Sequence, residues 1–162
     1  MKKFPDPRNP IHFIASLGPI GKIPFAPGTW GSLFSCVLFI FISHFVNQIG
    51  LLIIIISIFA IYICDQASKD LINKDHKAIV IDELVGMWVA LYPAIYYDTR
   101  DERMVYVILA FILFRIFDIL KPFPISYLDK NIEGGFGIVI DDIVAGLFAG
   151  FITVCLMIFL FV

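Results

Sequence analysis

The stretch Gly134-Gly135-Phe136-Gly137-Ile138-Val139-Ile140-Asp141-Asp142 leads directly into an apolar run that covers residues 143–162. This run matches the length of about 20 helical residues that crosses a hydrocarbon core about 30 Å thick. The glycines allow backbone amides to approach an anion, and the acid pair opens the final span. A carboxylate at a membrane boundary is costly unless it has a partner, so a functional role is the first interpretation and helix capping is the alternative. The stretch therefore predicts membrane helices with a charged site at one end.

The composition of the whole chain agrees with a membrane protein. Of the 162 residues, 60% are hydrophobic and 16% are charged, values far from those of a soluble globular domain. Apolar runs cover residues 30–46, 49–64, 79–97, 103–119 and 143–162. Only the last run reaches spanning length outright, and 49–64 is the most marginal. We expect an all-α fold in one domain, residues 1–162, built as a polytopic bundle of about four to five transmembrane helices.

Composition also excludes several kinds of function. The cysteines Cys36, Cys64 and Cys155 are isolated within apolar runs, which favours packing over disulfide or thiolate chemistry. The net charge is −2 and no basic stripe is present, so nucleic-acid binding is not expected. The polar, proline-rich residues 1–10 do not resemble a signal peptide, and the membrane segments themselves are expected to target the chain.

The positive charges predict an orientation. In a five-span arrangement, alternate loops carry ten and two Lys or Arg residues. The positive-inside rule then puts the amino terminus and both long loops in the cytoplasm, and the carboxyl terminus outside. Every acidic cluster would therefore lie on the cytoplasmic face.

A second acidic motif, Asp82-Glu83, stands near the start of the run 79–97, and Gly86 follows one turn later. Adjacent carboxylates on a helix point about 100° apart, so they can serve one metal ion only from different positions. Gly86 would leave room for another helix beside them. Capping of the helix start by the acids is the alternative. Upstream, Asp75-His76 is expected to be a loop segment or a neighbour of the ligands.

A third motif combines both signs of charge. Arg115, Asp118 and Lys121 recur at spacings of three and precede Pro122, which puts them on one helical face near the helix end. An intrahelical ion pair is an equally good local interpretation. The mixture favours function, because a cation can hold phosphate oxygens while an anion holds a metal.

The segment Gly21-Lys22-Ile23-Pro24-Phe25-Ala26-Pro27-Gly28-Thr29-Trp30-Gly31-Ser32 precedes the first run. Thr29 is predicted to be the N-cap of the first span. Free N–H groups at a helix start bind anions, and Lys22 adds positive charge. By itself, the segment favours a simple cap and turn.

Together, the motifs bring oxygen ligands from three helices, cations and a glycine loop to one membrane face. Oxygen ligands without Cys or His indicate Mg²⁺ or Mn²⁺ and argue against Zn²⁺. Mg²⁺ with cations and backbone donors suits phosphate-ester chemistry, and at a membrane surface the natural substrate is a lipid phosphate.

Two other classes of protein fit the sequence less well than a lipid phosphatase. A cation transporter or channel would need polar residues through the bilayer, whereas the acids cluster at one face and none lies in the middle of a span. A CDP-alcohol phosphotransferase would carry aspartates and glycines around an Ala-Arg pair along one helix, a signature that is absent here.

Several strings closely resemble bacterial phosphatidylglycerophosphatase A, in family order from His12 to about Gly150. They are Ala26-Pro27-Gly28-Thr29-Trp30-Gly31-Ser32, Ile79-Val80-Ile81-Asp82-Glu83-Leu84-Val85-Gly86, Phe114-Arg115-Ile116-Phe117-Asp118, Lys121-Pro122-Phe123-Pro124 and Gly134 to Gly146. The stretch from Ser16 to Gly21 departs from the family's more glycine- and phenylalanine-rich pattern. The resemblance implies a Mg²⁺-dependent phosphatase of the bacterial inner membrane with its active site facing the cytoplasm. Its substrate would be the membrane phospholipid phosphatidylglycerophosphate, which loses its terminal phosphate to give phosphatidylglycerol in phospholipid biosynthesis.

The motifs and the resemblance together give the expected site residues. The residues expected to act in catalysis by holding or orienting Mg²⁺ are Asp82, Glu83, Asp118, Asp141 and Asp142. Those expected to bind substrate are Lys22, Gly28, Thr29, Arg115, Lys121 and Asp129, and Asp129 could also be a further ligand or base. No Ser or Cys lies beside a base in the motifs, so attack by water or by an Asp through a phospho-aspartate remains, and water is favoured.

Overall fold

The computed structural model describes residues 4–69, 71 and 76–161, and all regular structure in these residues is helical. The helices are α1 (Pro10–Ala15), α2 (Pro27–Ser43), α3 (Ile49–Ser68), α4 (Ile81–Leu91), α5 (Arg100–Leu120), α6 (Ile125–Asn131) and α7 (Gly134–Phe161), with short 3₁₀ turns at Ile20–Lys22 and Tyr92–Tyr96. The predicted all-α fold is confirmed. The expected loop residue Asp75 lies outside the described residues.

Helices α4 and α7 form the centre of the bundle. Helix α7 packs against α3, α4, α5 and α6, while α4 also contacts α2, α3 and α5. A Cβ added at Gly86 would lie 2.6 Å from the carbonyl oxygen of Asp142, and one added at Gly146 would overlap the carbonyl of Gly86. The small residues therefore let the two backbones touch, which is the packing expected between membrane helices.

Buried aromatic side chains join the outer helices to this pair. Trp88 on α4 donates from Nε1 to the carbonyl oxygen of Ser35 on α2 at 3.0 Å. Tyr106 on α5 donates to the carbonyl oxygens of Ala90 at 3.0 Å and Gly150 at 3.3 Å. Each ring buries a large apolar area while its polar atom finds an acceptor. These contacts hold α2 and α5 in fixed positions around α4 and α7.

Residues with left-handed backbone lie at the start of α2 and at the end of α5. Helix α2 begins after Ala26, which has a left-handed backbone with φ 47°, and no side chain caps it. Thr29 therefore lies inside the first turn, and its prediction as the N-cap is wrong. Pro27 starts the helix earlier because its missing N–H and fixed φ suit the first helical position. Helix α5 ends at Leu120, and the residue that caps it, Lys121, is also left-handed with φ 42°.

Within the described residues, two helices are long and apolar enough to cross a membrane, by length and composition alone. They are α3, with 20 residues and a hydropathy of 2.3, and α7, with 28 residues and a hydropathy of 2.7. The run 49–64 was expected to be the most marginal span, and this was wrong because α3 continues to Ser68. In contrast, α4 has only 11 residues before the 3₁₀ turn that contains Pro93. A count of four to five spans stays a prediction.

Candidate active site

Three carboxylates from two helices meet at one end of the bundle. Asp82 and Glu83 come from the first turn of α4, Asp142 comes from α7, and one oxygen of each lies within 4.8 Å of the others. Asp82 is 7% exposed and Asp142 is 4% exposed. The amino-terminal dipole of α4 favours the first two acids. It does not account for Asp142, which belongs to a different helix, so capping alone does not explain the group. We call these three residues the carboxylate cluster.

Glycines permit this arrangement. The contact of Gly86 with the backbone of Asp142 brings the start of α4 against α7 at the level of the cluster. On the α2 side, a Cβ added at Gly28 would overlap Oε1 of Glu83 and lie 3.4 Å from Nη1 of Arg115. The first turn of α2 therefore borders the cluster at a point where a side chain would not fit.

Arg115 connects α5 to this border. Its Nη1 donates to Oδ2 of Asp118 at 2.5 Å and to Oγ of Ser32 at 3.1 Å. The side chains of Arg115 and Asp118 are each 14% exposed, and Asp118 lies beside Asp142, where the two charges act on each other. The Nε of Arg115 is buried and has no hydrogen-bond partner in the described part of the chain. The predicted intrahelical pair exists, and it also belongs to a network that reaches the cluster.

Lys121 lies between two carboxylates from other helices. Its Nζ donates to Asp129 on α6 and to Asp141 on α7, both at 2.6 Å. Burial by itself would lower the pKa of Lys121, but the charges of Asp141 and Asp129 outweigh it and raise the pKa above its usual value. Lys121 is therefore a fixed cation, held where α5, α6 and α7 converge.

The donor set of the cluster fits a hard divalent cation. All of its ligand atoms are carboxylate oxygens, the type that Mg²⁺, Mn²⁺ and Ca²⁺ prefer. The Oε2 of Glu83 is buried without a hydrogen-bond partner among the described residues. Negative groups this close repel one another in a buried setting, and a divalent cation would offset that repulsion. The cluster could therefore hold a metal ion.

The structure brings some of the predicted residues together and not others. Among the expected metal-holding residues, Asp82, Glu83 and Asp142 form the cluster, Asp118 contacts it through Asp142, and Asp141 pairs with Lys121. Among the expected substrate-binding residues, Gly28 borders the cluster, Arg115 adjoins it, and Lys121 and Asp129 pair with each other. Thr29 is partly buried in the first turn of α2.

Lys22 differs from the other expected substrate-binding residues. It ends the 3₁₀ turn Ile20–Lys22 and is exposed. In the part of the chain that the structure describes, it makes no ion pair.

Ser32 was not predicted as a site residue. It is fully buried, donates to the carbonyl oxygen of Gly28 at 2.9 Å and accepts from Arg115. The only sequence signal was its position in the glycine-rich segment, one turn after Gly28. Its contact with Arg115 joins residues 83 positions apart, which no local pattern could indicate.

Comparison with known proteins supplies the family. A family model described as Phosphatidylglycerophosphatase A matches residues 13–157. Proteins named phosphatidylglycerophosphatase A from Escherichia coli K12 and Haemophilus influenzae are each 40% identical to the chain, over 139 and 145 residues. These alignments cover 85% and 87% of the chain, and 78% and 85% of the respective relatives.

A relative with a different name also matches. A Bacteroides thetaiotaomicron protein provisionally named a phosphatidylinositol-3-phosphatase is 34% identical over 134 residues, which is 80% of the chain and 82% of that protein. No solved structure matches the chain. The family match over most of the chain confirms the resemblance in the sequence motifs, and the chain belongs to the phosphatidylglycerophosphatase A family.

Proposed function

We propose that the protein hydrolyses the terminal phosphate of phosphatidylglycerophosphate, giving phosphatidylglycerol and inorganic phosphate in phospholipid biosynthesis. The observation that carries the proposal is the carboxylate cluster with Arg115 beside it, in a chain of this family. Two relatives bear the name of this activity. A phosphate monoester needs charge neutralisation and a positioned water, and the site offers groups for both.

Asp82, Glu83 and Asp142 would hold Mg²⁺, with Asp118 beside Asp142 at the edge of the group. Bound Mg²⁺ would offset charge on the phosphoryl oxygens and lower the pKa of a coordinated water. Asp141 was expected to join this set. We assign it instead to fixing Lys121, because the two are 2.6 Å apart.

Arg115 and Lys121 would bind the phosphate oxygens. Arg115 uses Nη1 for Asp118 and Ser32, and its other donors can address a phosphate in the fork geometry that guanidinium groups favour. Because Gly28 has no side chain, the first turn of α2 lies directly against Glu83 and beside Arg115, and its backbone would border the bound phosphate. Lys22 and Thr29 would contact the outer part of the headgroup, while Asp129 would hold Lys121 in place.

Water is the proposed nucleophile. Attack of water on phosphorus breaks the bond between phosphorus and the glycerol oxygen. The departing glycerol oxygen takes up a proton to leave as a hydroxyl group, and a carboxylate accepts the proton that the water loses. Asp118 is suited to that role because it adjoins the cluster without being one of its three members. This route does not require a Ser or Cys nucleophile.

Exposed apolar side chains support a location in the inner membrane. On α2, α3 and α7, large residues such as Val37, Ile58 and Phe151 are 63%, 65% and 70% exposed, and soluble proteins rarely expose broad apolar surfaces. We propose that residues 1–162 form one domain that spans the membrane four to five times, with α3 and α7 as the two longest spans. The excess of positive charge in alternate loops supports a cytoplasmic site.

Phosphate release from the purified protein tests the activity. Phosphatidylglycerophosphate, phosphatidic acid and phosphatidylinositol-3-phosphate are compared, each with Mg²⁺ and with a chelator. We expect rapid release from the first lipid only, and only with Mg²⁺. Preferential release from the inositol lipid would instead match the name of the Bacteroides relative. Equal release with the chelator would contradict a metal-dependent site.

Cysteine labelling in intact cells tests the orientation. A cysteine replacing Thr99 should react with an impermeant thiol reagent, whereas one replacing Asn131 should be shielded. Asn73, another suitable position in the same predicted cytoplasmic region, lies outside the described residues. Labelling at Asn131 from outside would reverse the topology and the leaflet of the site.

A further inference from the structure

A second polar recess lies at the opposite end of the bundle from the carboxylate cluster. It has a volume of about 130 Å³ between α2 and α5, and Ser43, His44 and Arg103 contribute to its lining. Arg103 and Asp118 are 15 positions apart on α5, which corresponds to about 22 Å along the helix axis. The recess is therefore separate from the candidate active site.

This recess opens into an apolar groove. A wider cavity of about 570 Å³ shares His44 and Arg103 with the recess and extends along Ile40, Met104 and Ile108. Met104 and Ile108 are exposed, so the groove faces the surroundings of the bundle. A cationic recess joined to an apolar groove has the form of a site for an amphiphile.

Arg103 has hydrogen-bonding capacity to spare. Its Nη2 donates to the carbonyl oxygen of Tyr97 at 2.8 Å, while its Nε is buried without a hydrogen-bond partner in the described chain. Arg103 as a whole is partly buried, and an acceptor from a ligand would relieve the cost of the unmet donor at Nε. His44 uses Nδ1 for the carbonyl oxygen of Ile40 at 2.6 Å.

The charges around the cavity favour an anionic group. Arg100 and Arg103 line the wider cavity, and Asp98 is the acidic residue that lines it with them. Guanidinium groups bind phosphate oxygens in a fork geometry that suits a lipid phosphodiester. A small soluble anion would satisfy Arg103 but would leave the apolar groove uncovered.

We propose that this is a phospholipid-binding site, with the phosphodiester at Arg103 in the recess and an acyl chain along the groove. The lipid would belong to the leaflet opposite the candidate active site. The proposal rests on the membrane location within the proposed function and is independent of the phosphatase activity. The lipid here would be a bound ligand and would not undergo hydrolysis.

Lipid retention by the purified full-length protein tests this site. Delipidated protein in detergent is offered phosphatidylglycerol or diacylglycerol, and bound lipid is counted by native mass spectrometry. We expect Arg103→Gln to weaken phosphatidylglycerol retention about tenfold, because a charge-assisted hydrogen bond is lost. Arg8→Gln, at an exposed arginine outside the cavity, should retain the lipid like the wild type. A difference in retention between these two variants distinguishes lipid bound at Arg103 from lipid bound elsewhere on the protein.

A second variant covers the case in which Arg103→Gln disturbs the fold through its bond to Tyr97. Ile40→Trp fills the groove and leaves Arg103 intact, and it should also reduce retention while thermal unfolding stays close to the wild type. Unchanged retention in Ile40→Trp or in folded Arg103→Gln would overturn the proposal. So would equal retention of diacylglycerol, or displacement of the lipid by inorganic phosphate alone. Loss of phosphatase activity moves none of these readouts.

Discussion

Both ends of α5 carry charged residues, but the hydrogen-bond and ion-pair partners of these residues come from different parts of the chain. At the carboxyl end, Arg115 reaches Ser32, 83 positions away, and Lys121 bridges Asp129 and Asp141 from two other helices. At the amino end, Thr99 and Glu102 cap each other within one turn, and Arg103 bonds a carbonyl six positions earlier.

The difference separates charged groups whose partners are local from charged groups whose partners are brought together by the tertiary fold. Local partners are what a helix start needs, because its first N–H groups lack acceptors within the helix. Partners from distant segments require the complete tertiary fold, and they hold buried charges that are costly without compensation. The origin of the partners, more than the number of charges, therefore identifies the candidate active site.

Removing a cluster carboxylate should have the largest effect. Asp82→Asn and Asp142→Asn should each lower kcat at least about a hundredfold while helicity is retained, because the cation site loses a charged ligand. The measurement is phosphate release with the circular dichroism spectrum as a check on folding. Asp101→Asn, an exposed acid at the amino end of α5, is the matched control and should be near normal. Near-normal activity in both cluster variants would break the comparison between the two ends.

Adding a side chain at Gly28 should have the next largest effect. In Gly28→Ala the new Cβ meets the Glu83 carboxylate and approaches Arg115, so we expect a loss of kcat/KM of about tenfold or more. Gly50→Ala is the control, because its Cβ would meet only the side chain of Tyr92. If Gly28→Ala and Gly50→Ala behave alike, the bare backbone at Gly28 has no role in substrate binding.

Ser32→Ala should have a moderate effect. It removes one acceptor of the Arg115 guanidinium, and a hydrogen bond of this kind contributes about 1 kcal/mol, so KM should rise about fivefold. Ser35→Ala deletes a hydroxyl that is equally buried and bonds only the carbonyl oxygen of Gly31. Both variants lose a buried hydroxyl, but only Ser32→Ala also loses the contact that positions Arg115. Measuring KM for both therefore separates the two effects. An equal change in KM would argue against a positioning role for Ser32.

Thr99→Ala should have the smallest effect on function. Loss of the capping box should lower the free energy of unfolding by about 1 kcal/mol, because the first turn of α5 loses an acceptor. The values of kcat and KM should stay within error of the wild type. A clear fall in kcat without a change in thermal unfolding would show that the amino end of α5 influences the candidate active site.

Several features were predictable from the sequence because they depend on local order. The apolar runs predicted helices. The acid pairs Asp82-Glu83 and Asp141-Asp142, at the starts of two of these runs, predicted site residues. The spacing of Arg115, Asp118 and Lys121 predicted a shared helical face, and the pair between Arg115 and Asp118 forms. Thr29 was misplaced because local capping preference ignored the effect of Pro27 on the helix start. Ser32 was overlooked because its partner lies on another helix.

The sequence by itself determined that this chain forms apolar helices with charged ends and belongs to its family. The length of an apolar run and the order of the motifs depend only on the order of residues along the chain. Only the tertiary structure decided which charges share a space. Asp141 and Asp142 are neighbours in sequence, yet they point in different directions from α7, and one pairs with Lys121 while the other joins Asp82 and Glu83. The physical reason is the helical rotation of about 100° per residue together with the close contact of Gly86 and Gly146. That contact sets which face of α7 meets α4, and no local pattern specifies it.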